Sequence, residues 1–186
     1  IIKLIKKVHN QIPNKLKGLP QMFWVFHVVN HYKNFLEVNN SKYKKKLKDL
    51  LIISQKIEKI SSPYEIIYGH NDLLAANFIK RQKKLYLVDW EYAGYNTPLF
   101  DLGGLSSNNN FSQKEEILML ENYFDKKITD LLLQKYYALK TASLLRETMW
   151  SMVAELISKI DFDYKKYTEE NLKRFQKAFK NLDIKN

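Results

Sequence analysis

The segment His70-Asn71-Asp72-Leu73-Leu74-Ala75-Ala76-Asn77 puts an acid and, five positions later, a carboxamide into one short stretch. A little further on, Leu85-Tyr86-Leu87-Val88-Asp89-Trp90-Glu91 ends an apolar run on two more acids. Phosphoryl transfer asks little covalent chemistry of a protein: a group that orients the attacking hydroxyl and accepts its proton, and oxygen ligands for Mg²⁺ bridging the phosphates. Asp72 suits the first task and the amide oxygen of Asn77 the second. Asp89 closes a strand-like run, so its carboxylate is expected at the strand end, with Glu91 on the same side if the chain stays extended. Two carboxylates and an amide oxygen, completed by water and phosphate, suit Mg²⁺. His70 joins the catalytic-loop candidates, its expected work being to brace the loop by hydrogen bonding. An isolated H-x-D is commonly a turn and an isolated D-x-E two surface acids. The ordered set, with a hairpin between its halves, is what points to a site.

Charge sharpens that reading. The 186 residues carry 31 Lys plus Arg against 20 Asp plus Glu, a formal charge of +11. Residues 1–93 hold 17 basic and 7 acidic residues, and Asp72, Asp89 and Glu91 are three of those seven. Arg81, Arg146 and Arg174 are the only arginines, whereas recognition of phosphates and base edges favours the guanidinium fork. The lysines read as a solvated surface, and no nucleic-acid partner is expected. The absence of Cys excludes a disulfide-stapled module and leaves oxygen or imidazole for any metal. No apolar run approaches the roughly 20 residues of a membrane span, and no signal-peptide pattern is visible. A soluble, cytoplasmic chain is the expectation.

The elements that must position these residues are mostly helical. Apolar spacing of three and four predicts helices over Ile1–His9, Gln21–Val38, a lysine-rich stretch capped near Ser41 and running to Ile60, Asp130–Ser158, and Tyr164–Asn181. Ser112 and Glu115 form a capping-box pattern before a short helix ending near Phe124. Glu65–Tyr68 is a short β-branched run, and Asn77–Lys80 with Leu85–Asp89 reads as a hairpin. Gln11–Pro20 and the stretch from Gly94 to Asn110, with Pro98, Gly103 and Gly104, read as loops. The fold class is α+β, mainly helical, with a small central hairpin in one domain over 1–186.

HNDLLAANF followed by LYLVDWEYAGYNTPLFDLG resembles the catalytic core of the choline and ethanolamine kinases, nearest to the bacterial choline kinases. These belong to the aminoglycoside phosphotransferase-like group that shares the protein-kinase fold. The resemblance extends over about Ile1 to Phe179 and implies the C-terminal lobe of that fold. It makes Asp72 the catalytic base, Asn77 and Asp89 ligands of Mg²⁺, and Glu91 a further acid of choline-type members. Asp101 corresponds to a structural Asp, expected to hold the loop after the metal site. Leu4-Ile5-Lys6-Lys7-Val8-His9 is similar to the family's pattern just past the hinge, so the nucleotide-binding N-terminal lobe is expected to be absent here and present in a parent chain. In isolation the chain is expected to bind ATP weakly and turn over little.

The resemblance also implies an acceptor. A quaternary ammonium donates no hydrogen bonds and is selected by aromatic faces and nearby carboxylates. Trp150, Tyr164 and Tyr167 fall on the aromatic positions of the choline-pocket segment, and Glu147 stands where many choline kinases carry another Trp. The implied reaction is phosphorylation of choline or ethanolamine by ATP, giving phosphocholine from choline. The alternatives are a kinase for an aminoglycoside, thiamine or a sugar, and a noncatalytic kinase-like binding module.

Overall fold

The computed structural model describes residues 1–182, and its longest helix organises the rest. Helix α6 (Asp130–Ile157) is capped by Thr129, whose side chain accepts from the Leu132 amide. It buries Tyr136, Leu139, Ala142, Leu145, Met149 and Met152, the stripe expected of a helix surrounded by others. Helices α2 (Val25–Val38), α3 (Lys44–Ser61), α4 (Pro98–Asn108) and α7 (Tyr164–Lys180) pack around it. Helix α1 (Ile2–Gln11) and helix α5 (Gln113–Phe124) complete the helical layer. The capping box at Ser112 forms as expected, the Ser112 hydroxyl accepting from Glu115 and the Glu115 carboxylate accepting from the Ser112 amide. Asp163 caps α7 through the Lys166 amide at 2.9 Å.

Two small sheets sit at one edge of this layer. The hairpin pairs β2 (Phe78–Arg81) with β3 (Lys84–Leu87), Phe78 opposite Leu87 and Arg81 opposite Lys84. Strand β1 (Ile67–Gly69) pairs antiparallel with β4 (Gly94–Asn96). The two turns between these sheets carry the chemistry-bearing residues.

Four local expectations are corrected. The helix expected from Gln21 starts at Val25, because the backbone of residues 21–23 is committed to β4: Tyr95 donates to Gln21 and Phe23 donates to Tyr95. Helix α3 starts at Lys44, three positions after its expected cap, while Ser41 accepts from the Tyr43 amide instead. The stretch after Gly94 is not a loop: it forms β4 and then α4. Gly103 and Gly104 sit inside α4, although each costs a helix about 1 kcal/mol relative to Ala. Tertiary packing explains Gly103, since a Cβ there would lie 2.8 Å from Lys140 Cα on α6. Finally, β3 ends at Leu87, so Asp89 lies beyond the strand in a turn.

Candidate active site

The loop bearing Asp72 is held from beneath by one buried carboxylate. Asp101, on the first turn of α4 and 2% exposed, accepts from the backbone amides of His70 at 2.8 Å and Asn71 at 2.7 Å. Its Oδ2 also meets His9 Nε2 at 2.9 Å, and His9 Nδ1 meets the Tyr123 hydroxyl at 2.6 Å. Helices α1, α4 and α5 are thereby tied to one loop. Asn71 adopts φ 65°, a left-handed conformation that Asn tolerates better than most residues. Its amide donates to the carbonyls of Tyr92 and Gly94. Gly69 is closely packed in the same place: a Cβ there would stand 3.0 Å from Asp101 Oδ2. Asp101 thus grips the loop ahead of Asp72, whereas the expectation placed it on the loop that follows Asp89. His70 is fully buried, with Nε2 2.8 Å from the Val88 carbonyl and its ring against Trp90. It thereby links the Asp72 loop to the segment that leads to Asp89.

Asp72 emerges from this platform half-buried. Burial pushes its carboxyl above the usual carboxylate range, Arg146 opposes that shift, and Glu147 and Asp89 reinforce it. Asn77 closes a 3-10 turn and is 6% exposed. Its amide nitrogen donates to the Asp72 carbonyl at 2.9 Å, which leaves the amide oxygen as the free end. Asp89 is exposed, with φ 63°. That left-handed turn breaks the extended geometry that would have put Glu91 beside it. Glu91 is exposed and lines a separate depression of about 310 Å³ with Lys17, Gln21 and Tyr68. Among the described residues, His, Asp and Glu nowhere form a group of three placed to hold a metal. The oxygen set still fits Mg²⁺, which is commonly bound by one or two carboxylates together with substrate phosphates. Asn77 and Asp89 offer oxygens of that kind.

On the other side of Asp72 stands a residue the sequence reading passed over. Arg146, on α6 and 5% exposed, has Nη2 at 3.8 Å from Asp72 Oδ1 and donates through Nη1 to Glu147 Oε2 at 2.7 Å. Its guanidinium lies 4.7 Å from the Tyr92 ring centroid and 5.7 Å from that of Phe23. Burial would lower its pKa, but Glu147, Tyr32, Asp72 and Tyr92 outweigh that and raise it. Glu147 Oε1 in turn accepts from the Tyr167 hydroxyl at 2.8 Å. Burial and Glu147 push the Tyr167 phenol up to about 12, so it remains a donor at neutral pH. Phe162 then bridges the aromatic set, 5.6 Å from Tyr167 and 4.9 Å from Tyr164, and Tyr164 lies edge-on to Trp150 at 6.2 Å. All four acceptor-side candidates thus fall in one cluster, which the Arg146–Asp72 ion pair connects to Asp72. Phe162 was missed because nothing in its local pattern distinguishes it. Arg146 had a readable signal, being a charge set between the apolar Leu145 and Met149 in a chain with three arginines.

A third feature borders the site. A cleft of about 640 Å³ opens between α1 and β3, lined by Leu4, Lys7, Gln11, Leu85, Leu87 and Trp90.

A loop with an acid and a carboxamide, a hairpin, a second acid and a helical layer that anchors them form the C-terminal lobe of protein-kinase-like phosphotransferases. A sequence model described as choline/ethanolamine kinase matches residues 1–109, and the chain belongs to that family. The chain is 29% identical over 104 residues to protein LicA of Haemophilus influenzae, covering 55% of this chain and 39% of that protein. Among solved structures it resembles a choline/ethanolamine kinase family protein from Mesorhizobium loti, with a TM-score of 0.82 at 22% identity, covering 97% of this chain and 61% of the other. It also resembles the choline kinase LicA from Streptococcus pneumoniae, with a TM-score of 0.73 at 21% identity, covering 96% and 61%. The chain therefore spans about 39% of the Haemophilus protein and 61% of each of these structures.

Proposed function

We propose that this chain is the metal- and acceptor-binding lobe of a cytoplasmic kinase that moves the γ-phosphoryl group of ATP to the hydroxyl of choline or ethanolamine. Another part of the parent polypeptide would supply the nucleotide-binding lobe. The observation that carries the reading is the position of Asp72, with the free amide oxygen of Asn77 and the Asp89 carboxylate on one flank and the Trp150, Tyr164 and Tyr167 cluster on the other. Membership of the choline/ethanolamine kinase family supports the same reaction. Among the described residues no helix is long and apolar enough to cross a membrane.

In this reading Asp72 accepts a hydrogen bond from the acceptor hydroxyl, aligns its oxygen with the γ-phosphorus and takes its proton as the new O–P bond forms and the bond from that phosphorus to the β–γ bridging oxygen breaks, releasing ADP. A carboxyl raised above its ordinary pKa by burial is better matched to proton acceptance near neutral pH than an exposed one. Asn77 and Asp89 would hold Mg²⁺, which when bound would neutralise charge on the phosphates. Glu91 lies outside that pair, and its role at a metal is proposed only through a water or a second ion. The aromatic faces of Trp150, Tyr164 and Tyr167 hold the ammonium end, with Glu147 supplying negative charge nearby. Asp101 and His70 keep the loop in place. The cleft between α1 and β3 is where nucleotide and the second lobe would meet this one.

Assay of the full-length parent protein with ATP, Mg²⁺ and choline or ethanolamine should give the phosphorylated amino alcohol. Asp72→Asn should lower kcat by about 100-fold or more. Undiminished turnover in that variant, or turnover of a sugar or aminoglycoside in place of an amino alcohol, would overturn the assignment.

A further inference from the structure

The aromatic side chains near Asp72 and Arg146 fall into two sets. Trp150, Tyr164, Phe162 and Tyr167 form the outer set. The inner set, Tyr92 and Phe23, lies next to the base and is already covered by the Arg146 guanidinium at 4.7 and 5.7 Å. Arg146 carries a built-in positive charge to a place that would otherwise attract a cation strongly: a half-buried Asp72 carboxylate, a Glu147 carboxylate and two rings. Its side chain is 6% exposed, and its Nε and Nη2 have no hydrogen-bond partner. A buried guanidinium with unspent donors is costly, so a core position alone does not account for it.

A cationic amino alcohol has two ends, and the simplest electrostatic expectation is that its positive end seeks the most negative, most aromatic corner. Without Arg146 that corner is the base itself. An ammonium seated on Asp72 would turn the hydroxyl away from the phosphate and bind without reacting.

We propose that Arg146 is a specificity-determining positioning residue that excludes the acceptor's cation from the base, leaving the outer aromatic set as its only seat and directing the hydroxyl to Asp72. The inference rests on the proposed acceptor class and adds to it a reason for the order in which the two ends bind. Arginine is suited to the role because its planar guanidinium stacks on rings and stays charged when buried. The Glu147 link at 2.7 Å holds the fork in register, and the Tyr167 hydroxyl fixes Glu147 from the other side at 2.8 Å.

The test uses tetramethylammonium, a cation with no hydroxyl, titrated calorimetrically into this chain at constant ionic strength. Arg146→Gln and Arg146→Met should bind it about five-fold tighter than the unsubstituted chain, because a second aromatic and carboxylate seat opens. Arg146→Lys keeps a cation there and should stay within about two-fold. Thermal melts identify any variant that does not fold, and Arg146→Lys against the unsubstituted chain supplies the comparison if the neutral variants are lost: a five-fold gain with the charge retained would overturn the idea. Unchanged or weaker binding in the neutral variants, or no binding by any form, would also overturn it. In the full-length enzyme, nonproductive binding predicts that Arg146→Gln lowers kcat and the acceptor KM by a similar factor. A KM that rises while kcat holds would contradict it. Failure of the unsubstituted enzyme to phosphorylate any amino alcohol would sink the proposed function, while the calorimetric comparison would still decide the role of Arg146.

Discussion

The two flanks of Asp72 are built in different ways. The acceptor flank stands on α6 and α7, where side chains are linked through Arg146, Glu147 and Tyr167 by contacts of 2.7 and 2.8 Å. The other flank, proposed for the metal, stands on a hairpin of two four-residue strands and the segment after it, with Ile79 49%, Tyr86 46% and Trp90 36% exposed. Asp72 itself belongs to neither, because its loop is fastened to the helical layer through Asp101 and His9. The Asp72 loop is thus fastened by the buried Asp101 and His9, and the α6 side includes the buried Arg146, while the hairpin is held mainly by backbone pairing. In the proposed function, the hairpin flank would be the one to meet phosphates and a second lobe.

That contrast can be broken most forcefully at Asp101. Asp101→Ala would leave two backbone amides and His9 without their buried acceptor, and should cost about 3–5 kcal/mol of stability, measured by urea unfolding. A loss under about 1 kcal/mol would mean that the loop is held by something other than this carboxylate. Asp89→Asn tests the opposite flank. Asn accepts the same left-handed backbone, so stability should stay within about 0.5 kcal/mol, while kcat of the full-length enzyme should fall about 100-fold through loss of a metal charge. If the melting temperature falls and activity does not, Asp89 belongs with the structural residues. Gly103→Ala probes the packing that supports Asp101, since the new methyl would press on Lys140 Cα at 2.8 Å. A destabilisation of about 1–3 kcal/mol is expected in the same unfolding assay. The smallest effect is remote from both flanks: Ser112→Ala removes the α5 cap and should cost about 1 kcal/mol with kcat unchanged.

Much of this contrast was legible in the chain. The hairpin, the capping box and the long helix α6 follow from alternation, from Ser112 with Glu115, and from three-and-four spacing. Where the reading failed, a contact distant in sequence had overridden a local preference. Gly103 and Gly104 read as a loop until α6 lies against them. Gln21 to Phe23 read as helix until Tyr95 claims their backbone. Glu91 read as a partner of Asp89 on the premise of an extended chain, which the left-handed φ of Asp89 removes.

Residue type and order alone determined the chemistry on offer: a base candidate, oxygen ligands at fixed spacing, and aromatic residues suited to a cation. These follow from side-chain identity, which folding does not change. Only the tertiary structure decided that Asp101 serves the loop ahead of the base, that Glu91 stands apart from Asp89, and that Arg146 lies between Asp72 and the aromatic cluster. Each of those depends on segments far apart in the chain approaching within a few ångströms, where a buried charge must find a partner or carry the cost of its desolvation.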